Sequence, residues 1–115
     1  MGLSRGEQME TAEQLAFQLI LHSGNGRSLA MEALLLAKEK KWDEAEQKLE
    51  EANQELIEAH SIQAGLLTNE AKGEKVSISL LFIHAQDHLM NAITVKELCE
   101  EILQLWKHLG EVSSS

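Results

Sequence analysis

The chain has 115 residues, of which 43% are hydrophobic and 25% charged, and this length and mixture indicate a single soluble globular domain over residues 1–115. Its 19 acidic and 10 basic residues give a formal net charge of -9, which argues against a nucleic-acid backbone or an anionic membrane surface as partner. Proline and tyrosine are absent, so the composition favours helices over a β-sandwich. The single cysteine, Cys99, excludes an internal disulfide and a cysteine-rich zinc site, and it fits a reducing cytosol.

Neither a signal peptide nor a membrane span is expected. The N-terminal stretch from Met1 to Glu7 is polar and lacks the apolar run of a signal peptide. The longest strongly apolar run, from Ile78 to Ile83, is far too short to cross a bilayer. We therefore expect a cytoplasmic protein without membrane insertion, with flexible ends at residues 1–7 and 111–115.

The first helical segment is predicted from about Gln8 to about Lys40, because apolar residues recur there mostly at steps of three and four. The stretch from Ser23 to Gly26, which contains two glycines, interrupts the pattern. Each glycine inside a helix costs about 1 kcal/mol relative to alanine. The interruption therefore indicates either a break in the helix or a place where another backbone approaches closely.

The second segment, from about Asp43 to about Asn69, has the steps of four and three that are typical of a heptad seam. The seam consists of Ala45, Leu49, Ala52, Leu56, Ala59, Gln63 and Leu66. The remaining faces are strongly acidic, with Lys48 as their basic residue, a pattern typical of a solvated surface. A polar loop from Asn69 to Lys75 is predicted to follow.

The third segment is predicted from about Ser77 to about Leu109, with Gly110 as the C-cap of its helix. Its stripe consists of Leu81, Ala85, His88, Ala92, Val95, Cys99, Ile102, Trp106 and Leu109. Residues 76–80 alternate like a strand, but a lone strand would have no partner, so we interpret them as the beginning of the helix.

Three long helices with short connections predict an all-α, antiparallel up-down-up three-helix bundle. The third segment, however, has apolar residues outside its main stripe: Leu80, Phe82, Ile83, Leu89, Met90, Ile93, Leu98, Leu103 and Leu105. A helix that is apolar over more than one face needs more than one packing partner. A three-helix monomer does not supply enough cover, so self-association is expected.

The densest polar cluster within apolar sequence is predicted to lie on one face of the third helix. His84, Asp87, His88 and Asn91 follow one another at i, i+3, i+4 and i+7. Three interpretations are open: one histidine is a nucleophile, the two histidines share a transition metal, or both are core histidines satisfied by the carboxylate.

Other candidate residues are weaker. His22 and His60 have no carboxylate three or four positions further on, which predicts structural or solvated histidines. Cys99 lies on the apolar stripe of the third segment, and a buried thiol there is expected to be inert.

Three blocks of the sequence resemble the lactose/cellobiose class of enzyme IIA proteins of the bacterial sugar phosphotransferase system. They are Ile20–Ala30, Asn53–His60 and Ser77–Met90, the last of which contains His84-Ala85-Gln86-Asp87-His88-Leu89-Met90. The resemblance covers about Glu13 to about Leu109. Gly26 departs from it, because the family pattern leads us to expect alanine at this position.

The resemblance implies a homotrimer of three-helix bundles and a phosphocarrier function. His84 would receive a phosphoryl group from the histidine-containing phosphocarrier protein and pass it to a cysteine of the cognate IIB component. IIB then phosphorylates a disaccharide that enters through the membrane component IIC. His88 has no role that the resemblance supplies, and we expect it to support His84 by orienting its neighbours.

The resemblance also implies that Asp87 binds a metal ion shared at the trimer axis. Three carboxylates on an axis inside an apolar core cannot all stay charged and unpaired. They must share protons or bind a cation, and three protein oxygens with three waters would suit octahedral Mg²⁺.

Two alternative functions are a histidine phosphotransfer domain of two-component signalling and a non-enzymatic helical interaction module. The first usually has Lys-Gly three or four positions after its histidine, where this chain has Asp87 and His88. The heptad seam and the acidic faces of the second segment suggest the helical interaction module.

Overall fold

The computed structural model describes residues 11–71 and 80–113, which form three α-helices and contain no β-strand. They are α1 (Ala12–Lys38), α2 (Trp42–Ala71) and α3 (Leu80–Ser113). The prediction of an all-helical chain with three long segments is confirmed. Within these ranges, no helix combines the length and the apolar character needed to cross a bilayer.

The beginning of α1 is defined by a capping box. The Gln14 backbone N–H donates to Thr11 Oγ1 at 3.0 Å, and the Thr11 backbone N–H donates to Gln14 Oε1 at 2.9 Å. These two bonds satisfy backbone donors that the first turn of a helix leaves without partners. The helix therefore begins a few residues after the predicted start at Gln8.

A tight turn joins α1 to α2. The Lys40 N–H donates to the Ala37 carbonyl at 2.9 Å, and the Lys41 N–H donates to the Leu36 carbonyl at 3.0 Å. This pair of bonds is a Schellman motif, which requires a left-handed residue after the helix. Lys40 is that residue, with φ at 62°, although glycine is the residue that takes this conformation without steric cost.

The predicted C-cap at Gly110 is wrong, because α3 continues through it to Ser113. A single glycine costs a helix only about 1 kcal/mol, which a long helix tolerates. Residues 111–113 accordingly belong to α3, and Asn69 to Ala71 belong to α2 rather than to a loop. The predictions for residues 1–7, 72–79, 114 and 115 lie outside the described residues.

The helices pack in the predicted up-down-up order around two core clusters. One cluster contains Ala16, Leu19, Leu56, Ala59, Ala85, Leu89 and Ala92. The other contains Ala30, Ala33, Ala37, Ala45, Leu49, Ala52, Cys99 and Leu103. From the first cluster to the second, residue numbers rise in α1 and α3 and fall in α2. The helix α2 is therefore antiparallel to α1, and α3 is parallel to α1. The helix α1 lies between the other two, which contact each other much less.

The buried face of α1 consists mostly of small residues. Apart from Leu19, its members are Ala16, Ser23, Gly26, Ala30, Ala33 and Ala37. Small side chains let neighbouring helices approach closely. At Gly26 an added Cβ would lie 2.8 Å from Leu56 Cδ2 and 3.4 Å from the Ala52 carbonyl oxygen. The glycine-containing interruption is therefore a close approach to α2, within a continuous helix.

Part of the expected excess of apolar surface is present on α3, but the prediction that Leu89 and Leu103 lie outside its core stripe is wrong, because both are buried in the core. Ile83, Met90, Leu98 and Leu105 are each more than half exposed, and they recur at steps of seven or eight residues. We call these four residues the outer stripe of α3. The helix α1 has a similar set of exposed side chains in Phe17, Leu21, Met31 and Leu35.

Alanine substitution at the two glycines of α1 should have opposite effects. Gly24→Ala should raise the free energy of unfolding by up to about 1 kcal/mol, because alanine favours the helix and an added Cβ meets nothing within 4 Å. Gly26→Ala should lower the free energy of unfolding by about 1 kcal/mol, because overpacking against buried Leu56 outweighs the higher helix propensity of alanine. Urea unfolding measures both, and equal stabilisation by the two variants would contradict the close approach.

Replacing Lys40 by glycine should raise the free energy of unfolding by about 1 kcal/mol, because it removes the steric cost of the left-handed conformation. Lys40→Ala is the matched control, since alanine keeps the Cβ atom and the strain. Thermal or urea unfolding of both variants checks this prediction. Equal effects of glycine and alanine would show that the charge, rather than the backbone, decides stability at this turn.

Candidate functional site

The polar cluster of α3 lies near the beginning of that helix, on the surface of the chain. His84, Asp87 and Asn91 are exposed and His88 is half-buried, and their spacing places them on one face. Beneath them, Ala85 and Leu89 are completely buried in the core cluster shared with α1 and α2. The buried residues hold this part of α3 against the bundle, while the polar side chains face outwards.

The two histidines of the cluster contact each other directly. Their Nε2 atoms are 3.1 Å apart, and the rings meet edge to face with centroids 4.5 Å apart and planes at 86°. One nitrogen of such a pair must carry the hydrogen while the other accepts it. When His84 Nε2 is the acceptor, His84 carries its own proton on Nδ1 and His88 Nε2–H points at the lone pair.

Asp87 does not satisfy either histidine. Its carboxylate makes no hydrogen bond or ion pair with another described residue. The interpretation of two core histidines held by this carboxylate is therefore wrong, since His84 is exposed and its ring partner is His88. Asp87 lies instead between Ile83 and Met90, four residues after the first and three before the second, within the outer stripe of α3.

A side-chain amide pair joins α2 to α3 beside the cluster. Gln63 Nε2 donates to Gln86 Oε1 at 3.0 Å, and both residues are half-buried. This bond gives a physical reason for the polar residue within the otherwise apolar seam of α2. Because Gln86 directly precedes Asp87, the bond also restrains the turn of α3 that carries His84 and His88.

A second polar cluster links α1 to α2. The Glu55 carboxylate lies 3.0 Å from His22 Nδ1 and accepts a hydrogen bond from Asn25 Nδ2 at 3.1 Å. The bond with His22, followed by that from Asn25, holds the pKa of Glu55 below its ordinary value against the opposing effect of burial. Sequence spacing missed this partner of His22, because Glu55 lies on another helix, whereas His60 is exposed as predicted.

Cys99 is buried, and burial raises the pKa of its thiol. Its Sγ lies 4.0 Å from Met31 Sδ. A thiol with a raised pKa is a poor nucleophile because little thiolate is present at neutral pH. The prediction that Cys99 is an inert core residue agrees with this environment.

The metal interpretations can be compared with the ligands that one chain offers. Among the described side chains, those of residues 11–66 and 80–111, no three of histidine, cysteine, aspartate or glutamate come together as a metal site. His84 and His88 alone supply two ligands, one fewer than the three protein ligands of a catalytic zinc site. A cation at Asp87 would need carboxylates from other chains.

Comparison with known proteins places this arrangement in a family. Residues 14–107 match the family model described as the lactose/cellobiose-specific IIA subunit of the phosphotransferase system. The chain is 53% identical over 102 residues to the lichenan-specific phosphotransferase enzyme IIA component of Bacillus subtilis, covering 89% of this chain and 93% of that protein.

Two solved structures share the fold. The cellobiose-specific enzyme IIA of Bacillus anthracis superimposes with a TM-score of 0.85 at 57% identity, over 90% of this chain and 94% of that one. The chitobiose IIA of Escherichia coli, solved in complex with HPr, superimposes with a TM-score of 0.78 at 35% identity, over 89% and 99% of the two chains. The chain described here belongs to the lactose/cellobiose-specific IIA family of the phosphotransferase system.

Proposed function

We propose that this chain is a phosphocarrier that accepts a phosphoryl group on His84 from the histidine-containing phosphocarrier protein, HPr. It then passes the group to a cysteine of the cognate IIB component, in the cytoplasm, during uptake of a disaccharide through IIC. The observation that carries the proposal is the exposed His84 ring, whose Nε2 lies 3.1 Å from His88 Nε2 in a chain of the IIA family. The solved complex of a IIA relative with HPr supports the choice of donor.

The transfer needs no base stronger than a neutral imidazole. The lone pair of His84 Nε2 forms the new N–P bond, while the N–P bond of the donor phosphohistidine breaks and its electron pair stays on the donor nitrogen. Transfer onward to IIB exchanges this N–P bond for an S–P bond in the same way. Because little covalent chemistry falls to the protein, its tasks are to position the phosphoryl group and to stabilise its charge.

His88 is proposed as the residue that positions His84. An Nε2–H on His88 that donates to His84 Nε2 keeps the proton of His84 on Nδ1, so that Nε2 is the nitrogen with the lone pair. As the phosphoryl group arrives, the His88 N–H can exchange His84 Nε2 as its hydrogen-bond acceptor for a nearby phosphoryl oxygen. His88 would then donate its hydrogen bond to a charged oxygen, and such a bond is stronger than one between two neutral groups.

Contacts with the donor would combine charge and apolar surface. The chain has a net charge of -9, which favours a phosphocarrier with a basic face through electrostatic complementarity. Close to His84, Leu80 is more than half exposed and offers apolar contact area outside the outer stripe of α3. A residue of this kind, beside an exposed histidine, suits a transient complex that must form and separate in each cycle.

We also propose that the chain assembles as a homotrimer through α3. The outer stripe of α3 is apolar and exposed in one chain, and exposed apolar stripes of this kind mark association surfaces. Asp87 lies within this stripe. A threefold axis along it would bring three copies of Asp87 together, and a shared divalent cation, with Mg²⁺ as our proposal, would neutralise them.

His84→Ala should abolish phosphoryl acceptance and leave the helical content unchanged, because the substitution removes the acceptor nitrogen from an exposed position. The purified variant would be incubated with HPr, enzyme I and labelled phosphoenolpyruvate, with circular dichroism as the check on folding. Full labelling of the variant would contradict the assignment of His84.

His88→Ala should slow labelling about 10- to 100-fold without abolishing it, the effect of losing one hydrogen bond to a charged group. The matched control is His108→Ala, an exposed histidine on the same helix, 24 positions after His84, which should be labelled at the wild-type rate. If His88→Ala is not labelled and His84→Ala is, the two histidines have the reverse roles.

Asp87→Leu should form a trimer that no longer depends on a cation, because it removes the buried charges and adds apolar surface. The wild-type trimer should weaken when a chelator is added. Sedimentation of both proteins, with and without chelator, makes the measurement, and Glu58→Leu on the exposed face of α2 is the control that should stay chelator-sensitive. A wild-type chain that remains monomeric at high concentration with Mg²⁺, or an Asp87→Leu chain that dissociates, would contradict the proposal.

A further inference from the structure

A groove lies at the end of the bundle where α1 finishes and α2 begins. It has a volume of about 330 Å³, and its walls include Trp42, Trp106 and Leu109. These are the two tryptophans of the chain, and each is half-buried. Trp106 follows His84 by 22 residues on the same helix, which corresponds to about 33 Å, so the groove is separate from the histidine pair.

The charged residues that line this groove are both lysines, Lys38 and Lys40. Neither forms an ion pair with another described side chain, whereas their neighbours Lys41 and Lys107 are held by Glu39 at 3.0 Å and Glu46 at 2.6 Å. The lining of this groove thus has two lysines and no carboxylate, in a chain whose net charge is -9. Asp43, Glu44 and Glu111 line the adjoining grooves.

The backbone at Lys40 adds an independent observation. This residue occupies the left-handed region with φ at 62°, where glycine would complete the same turn without steric cost. Non-glycine residues in such conformations concentrate at functional sites. Lys40 also lines the two smaller grooves that flank Trp42, so its side chain lies at the centre of this concave surface.

We propose that the groove binds a small organic anion with a flat apolar ring. The ring would pack against Trp42, Trp106 and Leu109, and the anionic group, a phosphate or carboxylate, would be held by Lys38 and Lys40. The volume lies at the lower end of the range for small-molecule sites, which are apolar with a few placed polar groups. Binding here needs no phosphorylation of His84 and is independent of the proposed phosphocarrier function.

The two indole N–H groups allow a direct test. The ¹⁵N-labelled full chain would be titrated with phenyl phosphate, and the indole signals of Trp42 and Trp106 would be followed by NMR, with Trp106→Phe to assign them. We expect both signals to shift and saturate. Inorganic phosphate and phenol, each offering half of the recognised chemistry, should bind at least about tenfold more weakly, because each loses one set of contacts.

Charge variants then distinguish binding that uses the two lysines from non-specific stacking on tryptophan. Lys38→Gln and Lys40→Gln should each weaken binding of phenyl phosphate about fivefold or more. Lys48→Gln, at a lysine on α2 that is paired with Glu32, is the matched control and should bind as the wild type does. Shifts that do not saturate, equal affinity for phenol, or equal affinities in Lys40→Gln and Lys48→Gln would each overturn the proposal.

Discussion

The helix α1 packs closely against both of its neighbours, and this packing sets the geometry of the bundle. The buried face of α1 contains four alanines, Ser23 and Gly26, with Leu19 as its single large residue. At Gly26 there is no room for even one more carbon, since it would lie 2.8 Å from Leu56. Interiors packed at this density gain dispersion energy only while the interface keeps its small side chains.

This packing decides which surfaces remain available for function. Because α1 occupies the middle of the bundle, the buried side of α3 is used by α1 and partly by α2, and the outer stripe of α3 stays exposed. His84 and Asp87 both lie outside the core, with His84 in contact with His88 and Asp87 among the apolar residues of the stripe. One helix thus carries both the proposed acceptor site and the surface proposed for self-association.

The sequence predicts the helices well because burial repeats with the period of the helix. The seam of α2 is buried at six of its seven positions, and the seventh, Gln63, is half-buried and bonded to Gln86. Contacts between helices could not be predicted in the same way. His22 and Glu55 are 33 positions apart, and periodicity within one helix does not relate such positions. The sequence leaves the close approach at Gly26 as one of two alternatives, because the choice depends on what α2 presents. The polar face of His84, Asp87 and His88 could be predicted from spacing, but the bond between the two rings required the structure.

Phosphoryl acceptance by His84 is tested most directly by ³¹P–¹⁵N NMR of the wild-type chain after phosphorylation by HPr, with ¹⁵N-labelled histidine. We expect one phosphorus signal, coupled to Nε2 of His84, and a shifted ring signal for His88 as its N–H turns to the phosphoryl oxygen. Coupling to a nitrogen of His88 or of any other histidine, or the absence of a phosphorus signal while HPr is fully phosphorylated, would contradict it.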